Sequence, residues 1–317
     1  MIGVLIIGLG NIGSEYNSKN NKHYKISHLN AIQRSKNFKI LGLVDKDLNK
    51  LNKYKKIYNI YNNIEKALIE LKPSLVIISV NIKNHFQILK KLSQFKNIKF
   101  ILCEKPFTEN IKEAKKVEKF FLNKKINIYI NYMRNSDFIL SSALRKYILK
   151  KEEKNIFCTI YYNSSILNGA SHYICLMNKF FGKFKKIKLL EYSKNSLIFM
   201  ISYFKNNVLF ISNDKANSNF EKVEFKNSNF FLSYLNGGYD IEIKKRIKND
   251  VYNKKNYFKT VKKIKNPFYF NSQMYVLDEI NKKFKNKKTN LCSIKEAIEV
   301  HSIISKLHNE INVKKKI

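Results

Sequence analysis

One lysine in this chain stands out for its setting. In Ile101-Leu-Cys-Glu-Lys-Pro-Phe-Thr-Glu-Asn110 an apolar run, Lys99–Cys103, leads straight into Glu104-Lys105-Pro106, and Pro106 is one of only three prolines among 317 residues. Proline biases the residue before it toward extended geometry and resists continuing a strand. Lys105 is therefore expected at the carboxyl end of a buried strand. A partly desolvated lysine near a cationic ring has its pKa lowered toward neutrality. It can then exchange a proton with a substrate hydroxyl while hydride moves to or from a cofactor.

Two further patterns indicate what Lys105 would face. Gly8-Leu-Gly-Asn-Ile-Gly13 matches GxGxxG directly after the apolar run Ile2–Ile7, and four of the nine glycines fall within the first thirteen residues. That spacing serves a tight turn, close approach of backbone to a pyrophosphate, and close packing of the next helix. Gly8, Gly10, Asn11, Ile12 and Gly13 are thus candidate cofactor contacts, with the N–H groups of the helix start turned to the phosphates. At the end of a second apolar run, "ILGLVDKD", Asp45 can accept hydrogen bonds from ribose hydroxyls and repel a 2′-phosphate. This favours NAD, with NADP kept as the alternative because Lys46 adjoins it. The competing reading of Asp45 is an ordinary helix cap. The interval from Gly13 to Asp45 exceeds the usual spacing of about 20 residues, and "SEYNSKNNKHYK" reads as a loop insertion that accounts for the excess.

These residues need elements to hold them. Short apolar runs at Ile2–Ile7, Lys39–Val44, Leu75–Val80, Lys99–Cys103 and Asn127–Tyr132 alternate with helical patterns near 24–35, 47–55, 63–71, 84–95 and 110–123. Continuous β-rich runs separated by amphipathic stretches predict a doubly wound parallel sheet covered on both faces. Ligands of such sheets bind at the carboxyl ends of the strands. That edge would carry Lys105, Ser79 and Asn81 (the last two as cofactor contacts), and Asn131-Tyr132. After Tyr132 the pattern changes. A helix near 137–150 is followed by strand-like runs at Ile156–Tyr162, Lys186–Glu191, Ser196–Phe204, Val208–Ser212 and Lys222–Phe225, then a hairpin through Asn236-Gly237-Gly238. Helices are expected at 271–285 and 293–309, the second opened by a Ser293/Glu296 capping box. The expected organisation is a dinucleotide-binding domain over 1–132 and a substrate-binding and oligomerisation α/β domain over 133–317, with the carboxyl-terminal helices packing back on the first.

Composition narrows the function classes. The formal net charge of +37 suggests nucleic acid, yet only Arg34, Arg134, Arg145 and Arg246 of the 61 basic residues are arginine. Nucleic-acid surfaces favour grouped arginine, whereas these lysines are scattered, so a solvated surface is the reading and no nucleic-acid partner is expected. Cys103, Cys158, Cys175 and Cys292 form no CxxC pair. Neither a metal site nor a disulfide framework is expected. No apolar run reaches about 20 residues, and the apolar start lacks a basic flank and a cleavage site. The expectation is a soluble cytoplasmic protein without a membrane partner.

Taken together, Gly8-Leu-Gly-Asn-Ile-Gly13, Val44-Asp45, "CEKPFTEN" and "LNGASHYICLMNKFFG" resemble the glucose–fructose oxidoreductase, inositol dehydrogenase and rhizopine-catabolism (Gfo/Idh/MocA) family over nearly the whole chain. The resemblance implies an amino-terminal Rossmann domain and a carboxyl-terminal α/β domain with an open, mainly antiparallel sheet. It implies an NAD(P)-dependent oxidoreductase acting on a secondary alcohol of a sugar, sugar nucleotide or cyclitol, in polysaccharide or nucleotide-sugar metabolism, as a homodimer or homotetramer. It places Lys105 at the hydride-transfer site, Glu104 beside the cofactor, and His172 at a helix start as the second catalytic and substrate-contacting group. Tyr132, Arg134, Tyr162 and Asn168 become candidate substrate contacts, with Asn163 a weaker one. Two positions depart from the family pattern: Asn168 stands where an aspartate is usual, and Cys175 where an acidic residue is frequent. Asparagine orients by hydrogen bonds but takes no proton, which leaves the acid–base work to Lys105 and His172. It also sustains the competing reading of a non-catalytic, regulatory dinucleotide-binding protein. An imine or double-bond reductase is the enzymatic rival. His85 is expected to cap or pack a helix.

Overall fold

The computed structural model describes residues 1–16, 26–150, 155–163, 165–193, 196–213, 221–248 and 256–314. Most of the segment read as a loop insertion, residues 17–25, lies outside them. The first half alternates strand and helix: β1 (Ile2–Ile7), α1 (His28–Gln33), β2 (Phe38–Val44), α2 (Leu48–Asn52), β3 (Asn59–Tyr61), α3 (Ile64–Leu71), β4 (Leu75–Ile78), α4 (His85–Leu92), β5 (Phe100–Cys103), α5 (Ile111–Phe121) and β6 (Asn127–Ile130). There follow α6 (Phe138–Ala143), β7 (Phe157–Tyr162), α7 (Ser171–Phe181), and the strands β8 (Lys186–Tyr192), β9 (Ser196–Ser202), β10 (Asn207–Asn213), β11 (Lys222–Lys226), β12 (Phe230–Leu235), β13 (Asp240–Lys248) and β14 (Asn256–Lys265). The chain closes with α8 (Phe268–Phe284), β15 (Cys292–Ser293) and α9 (Ile294–Lys314).

Two compact units result, Met1–Ser136 with Phe270–His301, and Asp137–Tyr269 with Ser302–Ile317. In the first, the strand order is β3-β2-β1-β4-β5-β6, all parallel, with β15 added antiparallel to β6. Every residue of β4 and β5 is buried. A strand buried at both parities must be covered on both faces, which is why these runs read as continuous rather than alternating. One face packs Val4, Ile6, Leu75, Ile77 and Leu102 against Leu29 and Ile32 of α1 and Val276, Leu277 and Ile280 of α8. Short polar residues start the helices. The side chains of Ser27, Asp47, Asn63 and Asn110 each accept a hydrogen bond from a first-turn N–H of α1, α2, α3 and α5.

In the second unit the order is β14-β13-β12-β11-β7-β10-β9-β8, antiparallel except for the β7–β10 pair. Burial alternates along β7, so one face of this sheet is a core. The hairpin turn at Asn236-Gly237-Gly238 runs with positive φ at all three residues. Asp137 is fully buried; it accepts from the Leu140 N–H at the start of α6, from Tyr234 Oη at 3.0 Å and from Asn266 Nδ2 at 2.7 Å. The α/β class with one doubly wound and one mainly antiparallel sheet is as expected. Three details differ. β4 and β6 end two residues early, at Ile78 and Ile130, because the following residues leave the ladder for the sheet edge. β3 and β15 are too short to be read. The edge strand β14 is mostly exposed and four of its ten residues are lysine, so it carries no apolar alternation. The capping box forms, Ser293 N–H donating to Glu296 Oε2 at 2.6 Å. All four cysteines are free and buried. Among the described residues no helix is long and apolar enough to cross a membrane.

His301 on α9 faces the Phe107 ring at 6.5 Å, and burial lowers its pKa to about 4. An unfolded histidine titrates near 6.5, so between the two values the unfolded chain binds a proton that the folded one refuses, and stability falls as pH drops through that window. Urea unfolding at pH 7 and pH 4 should show His301→Leu losing about 3 kcal/mol less than the parent over this interval. Equal losses would refute the assignment.

Candidate functional site at the carboxyl edge of the parallel sheet

The strand order reverses at β1, which pairs with β2 on one side and β4 on the other. The crevice that opens there is where an open α/β sheet takes a ligand. Gly8 turns the chain at φ +99°, and a Cβ on it would lie 2.6 Å from the Ser79 carbonyl oxygen. A Cβ on Gly13 would lie 2.2 Å from the Gly8 oxygen. Gly10 differs: its Cβ would meet nothing within 4 Å. The protein itself therefore does not require glycine at residue 10, and the space is what an approaching pyrophosphate needs. The chain then turns helically over Asn11–Glu15, with Asn11 exposed and Ile12 half-buried.

Asp45 follows β2 directly. Its Oδ2 accepts from the Leu9 N–H at 2.7 Å and its Oδ1 from the Asp47 N–H at 2.9 Å. One carboxylate thus braces the glycine loop and orders the turn that leads into α2, and each oxygen keeps further lone-pair capacity. The cap of α2 is thus Asp47 rather than Asp45, whose oxygens still have room to accept from a ribose hydroxyl. A cleft of about 440 Å³ runs along this edge, lined by Gly8, Gly10, Asp45, Ser79 and Asn81 among others, with Lys46, Lys50 and Lys91 contributing positive charge. Ser79 donates its hydroxyl to the Gly8 carbonyl at 2.8 Å, so its side chain holds the loop at the wall of the cleft. Asn81 caps the next turn by accepting from the Lys83 N–H. The residues present fit a dinucleotide: a glycine cradle, a carboxylate at the second strand end, and a cleft joining them.

Lys105 stands just past β5, half-buried, with a cis peptide bond to Pro106. The residues around it are unusually polar for a buried region. Glu104 is 8 % exposed and accepts two hydrogen bonds on one oxygen, from His28 Nε2 at 2.7 Å and Asn131 Nδ2 at 2.6 Å. Burial pushes this carboxyl up, but the bond and charge of His28, the amide of Asn131 and the Lys105 charge together hold it below its ordinary value. Asn131 also reaches Gln273 Oε1 on α8, at 3.0 Å. His85, 1 % exposed, sets Nδ1 at 3.1 Å from the Pro106 and Phe107 carbonyls and Nε2 at 3.1 Å from that of Val80. It packs into its helix start as expected, and in doing so it ties the loop after Lys105 to the end of β4. Burial, with Glu104 adjacent, raises the Cys103 thiol well above its usual value, so that sulfur stays protonated.

Tyr132 and Arg134 follow β6 and are 2 % and 7 % exposed. In the second unit, Tyr162 sits in the core, edge-on to Phe199 and Phe210. Asn168 is exposed, its N–H bonded to the Ser165 hydroxyl. His172 and Cys175 are buried on the first turns of α7, and Asn163 is half-buried after β7. Sequence reasoning missed His28, Asn131 and Gln273 as partners of the Glu-Lys-Pro segment. Their separations of 76, 27 and 142 residues in the contacts above leave no local signal.

Residues 2–132 match the family described as "Oxidoreductase family, NAD-binding Rossmann fold" (Gfo/Idh/MocA), which bears out the resemblance and the expected NAD cofactor. No curated protein matches the sequence. Among solved structures, a dehydrogenase from Chromobacterium violaceum superposes with a TM-score of 0.76 at 11% identity, covering 99% of this chain and 96% of that one. The UDP-N-acetylglucosamine 3-dehydrogenase GnnA from Acidithiobacillus ferrooxidans superposes at 0.74 and 12% identity, covering 97% of each chain. The WlbA dehydrogenase from Bordetella pertussis, in complex with NADH and UDP-GlcNAcA, superposes at 0.71 and 11% identity, covering 97% of this chain and 94% of that one. At these identities the likeness is one of fold.

The glycines separate into two kinds by a simple measurement. Gly8→Ala should lower unfolding free energy by about 1–3 kcal/mol through backbone strain and contact with Ser79. Gly10→Ala should leave the melting temperature unchanged and weaken NADH binding about tenfold in a fluorescence titration. Unchanged NADH affinity in Gly10→Ala would contradict the cradle.

Proposed function

We propose that the protein is an NAD-dependent oxidoreductase moving hydride between nicotinamide and a secondary alcohol or ketone of a sugar, sugar nucleotide or cyclitol. The observation that carries this reading is the placement of Lys105 at the end of β5, on the same sheet edge as the glycine loop and Asp45. Nicotinamide, when bound, supplies the hydride acceptor or donor. The chain's own contribution is proton handling and orientation. As a substrate alcohol loses hydride from carbon, its hydroxyl proton passes to neutral Lys105 Nζ; in reduction, protonated Lys105 returns a proton to the carbonyl oxygen. Tyr132 and Arg134 are proposed to line the substrate side of this first unit, the guanidinium suiting a carboxylate or phosphate group.

On the second unit the same reading assigns substrate contacts to His172 and Asn168, with His172 able to carry a proton and Asn168 only to orient. Residues 1–132 are proposed to serve the cofactor and 133–317 the substrate. Two of the similar structures carry names of UDP-sugar chemistry, which supports a sugar-nucleotide substrate and a role in polysaccharide precursor metabolism. Half-buried Ile198, Met200, Leu209 and Ile211 on the open face of the antiparallel sheet support a homodimer or homotetramer.

Titration with NADH and NADPH, followed by turnover on a panel of UDP-sugars, tests this directly. NADH is expected to bind at least tenfold more tightly than NADPH, with Asp45→Ser narrowing or reversing the preference. Absence of binding by either cofactor would overturn the proposal. Lys105→Ala is expected to cut kcat by at least 10²-fold with NADH affinity retained. Cofactor binding without turnover on any substrate would instead favour the regulatory reading. Sedimentation of the wild-type protein should show a species of two or four chains.

A further inference from the structure

We infer that His28, which belongs to none of the motifs above, is a positioning residue for Lys105: it fixes the Glu104 carboxylate in place beside the lysine. The inference rests on the proposed role of Lys105. His28 opens α1 and is 1 % exposed, and its Nε2 donates to Glu104 Oε1 at 2.7 Å. Asn131 Nδ2 converges on the same oxygen at 2.6 Å, and is itself held by Gln273 Oε1 at 3.0 Å. Both donors reach Oε1, so the carboxylate is oriented from two elements, α1 and the end of β6. The second oxygen, Oε2, has no hydrogen-bond partner among the described residues.

Among the described residues, the groups acting on Glu104 come from its chain neighbours, from α1, from the end of β6 and from α8. Cys103 precedes it on β5, with a thiol that burial keeps protonated. Lys105 follows it in the chain and adds its charge to those acting on the carboxylate. His28 comes from α1, while Asn131 and Gln273 are uncharged. Among the described residues the ionisable groups acting on this buried carboxylate are thus His28 and Lys105, beside the neutral thiol. A purely structural role would be served at least as well by an apolar side chain of the same volume. A buried carboxylate next to a proton-exchanging lysine has a further effect: it raises the lysine's proton affinity, countering the opposite pull of burial and of a cationic ring. Removing the His28 donor frees the Glu104 carboxylate to leave its place beside the lysine, and that counterweight weakens.

The test reads Lys105 itself and needs no turnover. A neutral amine-acylating reagent is applied across pH 7–11, and modification of the Lys105 peptide is quantified by mass spectrometry in the wild type, His28→Ala, His28→Gln and Glu104→Gln. His28→Phe, which keeps the ring volume without a donor, stands in should the alanine variant not fold. His28→Ala, or His28→Phe, and Glu104→Gln are expected to lower the midpoint of Lys105 labelling by about one pH unit. His28→Gln, which retains an N–H donor, is expected to restore most of it. A wild-type midpoint in the donor-less His28 variant and in Glu104→Gln would overturn the inference. NADH affinity is measured in parallel on the wild type: its absence would defeat the oxidoreductase reading, while the Lys105 midpoints would still decide the role of His28.

Discussion

The passage of Gly8 beneath the end of β4 is the constraint on which the functional edge depends. The Gly8 N–H reaches the Val44 carbonyl at 2.8 Å, and its own carbonyl receives the Ser79 hydroxyl at 2.8 Å. One residue with positive φ thereby couples β2, β1 and β4 at the point where strand order reverses. A side chain there would separate β1 from β4, and the crevice would close or lose its shape. The remaining connections continue the same pattern outward. His85 joins Val80 to Pro106 and Phe107, and the Asn131 N–H reaches the Cys103 carbonyl at 2.8 Å. The carboxyl ends of five neighbouring strands are thus tied one to the next, and Lys105 is carried on the resulting frame.

Legibility followed the range of the interactions. The parallel sheet was readable because β1, β4 and β5 are uninterrupted apolar runs, and because a glycine turn of fixed spacing follows the first. The capping box at Ser293 was readable for the same reason, both partners lying within one helical turn. β14 was not, since an edge strand with lysine on its exposed positions follows no apolar period. The Glu104 network was equally hidden. Its members come from α1, β5, the end of β6 and α8, and each alone is an ordinary polar residue. Tyr162 shows the converse: a hydroxyl-bearing residue at the end of a strand reads as a substrate contact, while its ring stands edge-on to Phe199 and Phe210.

The strong positive charge acts on the site less than its size suggests. Most lysines are solvated and screened beyond about 10 Å at ordinary ionic strength. The lysines lining the cleft at the sheet edge, Lys46 and Lys50 with Lys91 paired to Glu65, are close enough to matter, and they favour an anionic ligand in general. Under the proposed function Asp45 would supply the choice between NAD and NADP, because its position is fixed by the Leu9 and Asp47 N–H groups. A fixed negative charge discriminates by repelling a 2′-phosphate, whereas mobile lysines only raise affinity for both cofactors.

Polar burial in the first unit is concentrated where a chemical role is proposed. His28, Ser79, His85, Glu104, Asn131 and Gln273 are all under 9 % exposed, and all lie at or against the carboxyl edge. The strands behind them are almost wholly apolar. A fold selected for stability alone would fill these positions with leucine or valine, since satisfied polar networks at best match apolar packing. What such a network adds is a defined orientation and a defined charge. The two histidines divide that work. His85 grips backbone carbonyls on both sides of the loop and fixes where Lys105 stands, while His28 grips a carboxylate and fixes the field in which Lys105 titrates. A lysine surrounded by water, like most others in this chain, has neither constraint, and that difference in surroundings is what separates Lys105 from them.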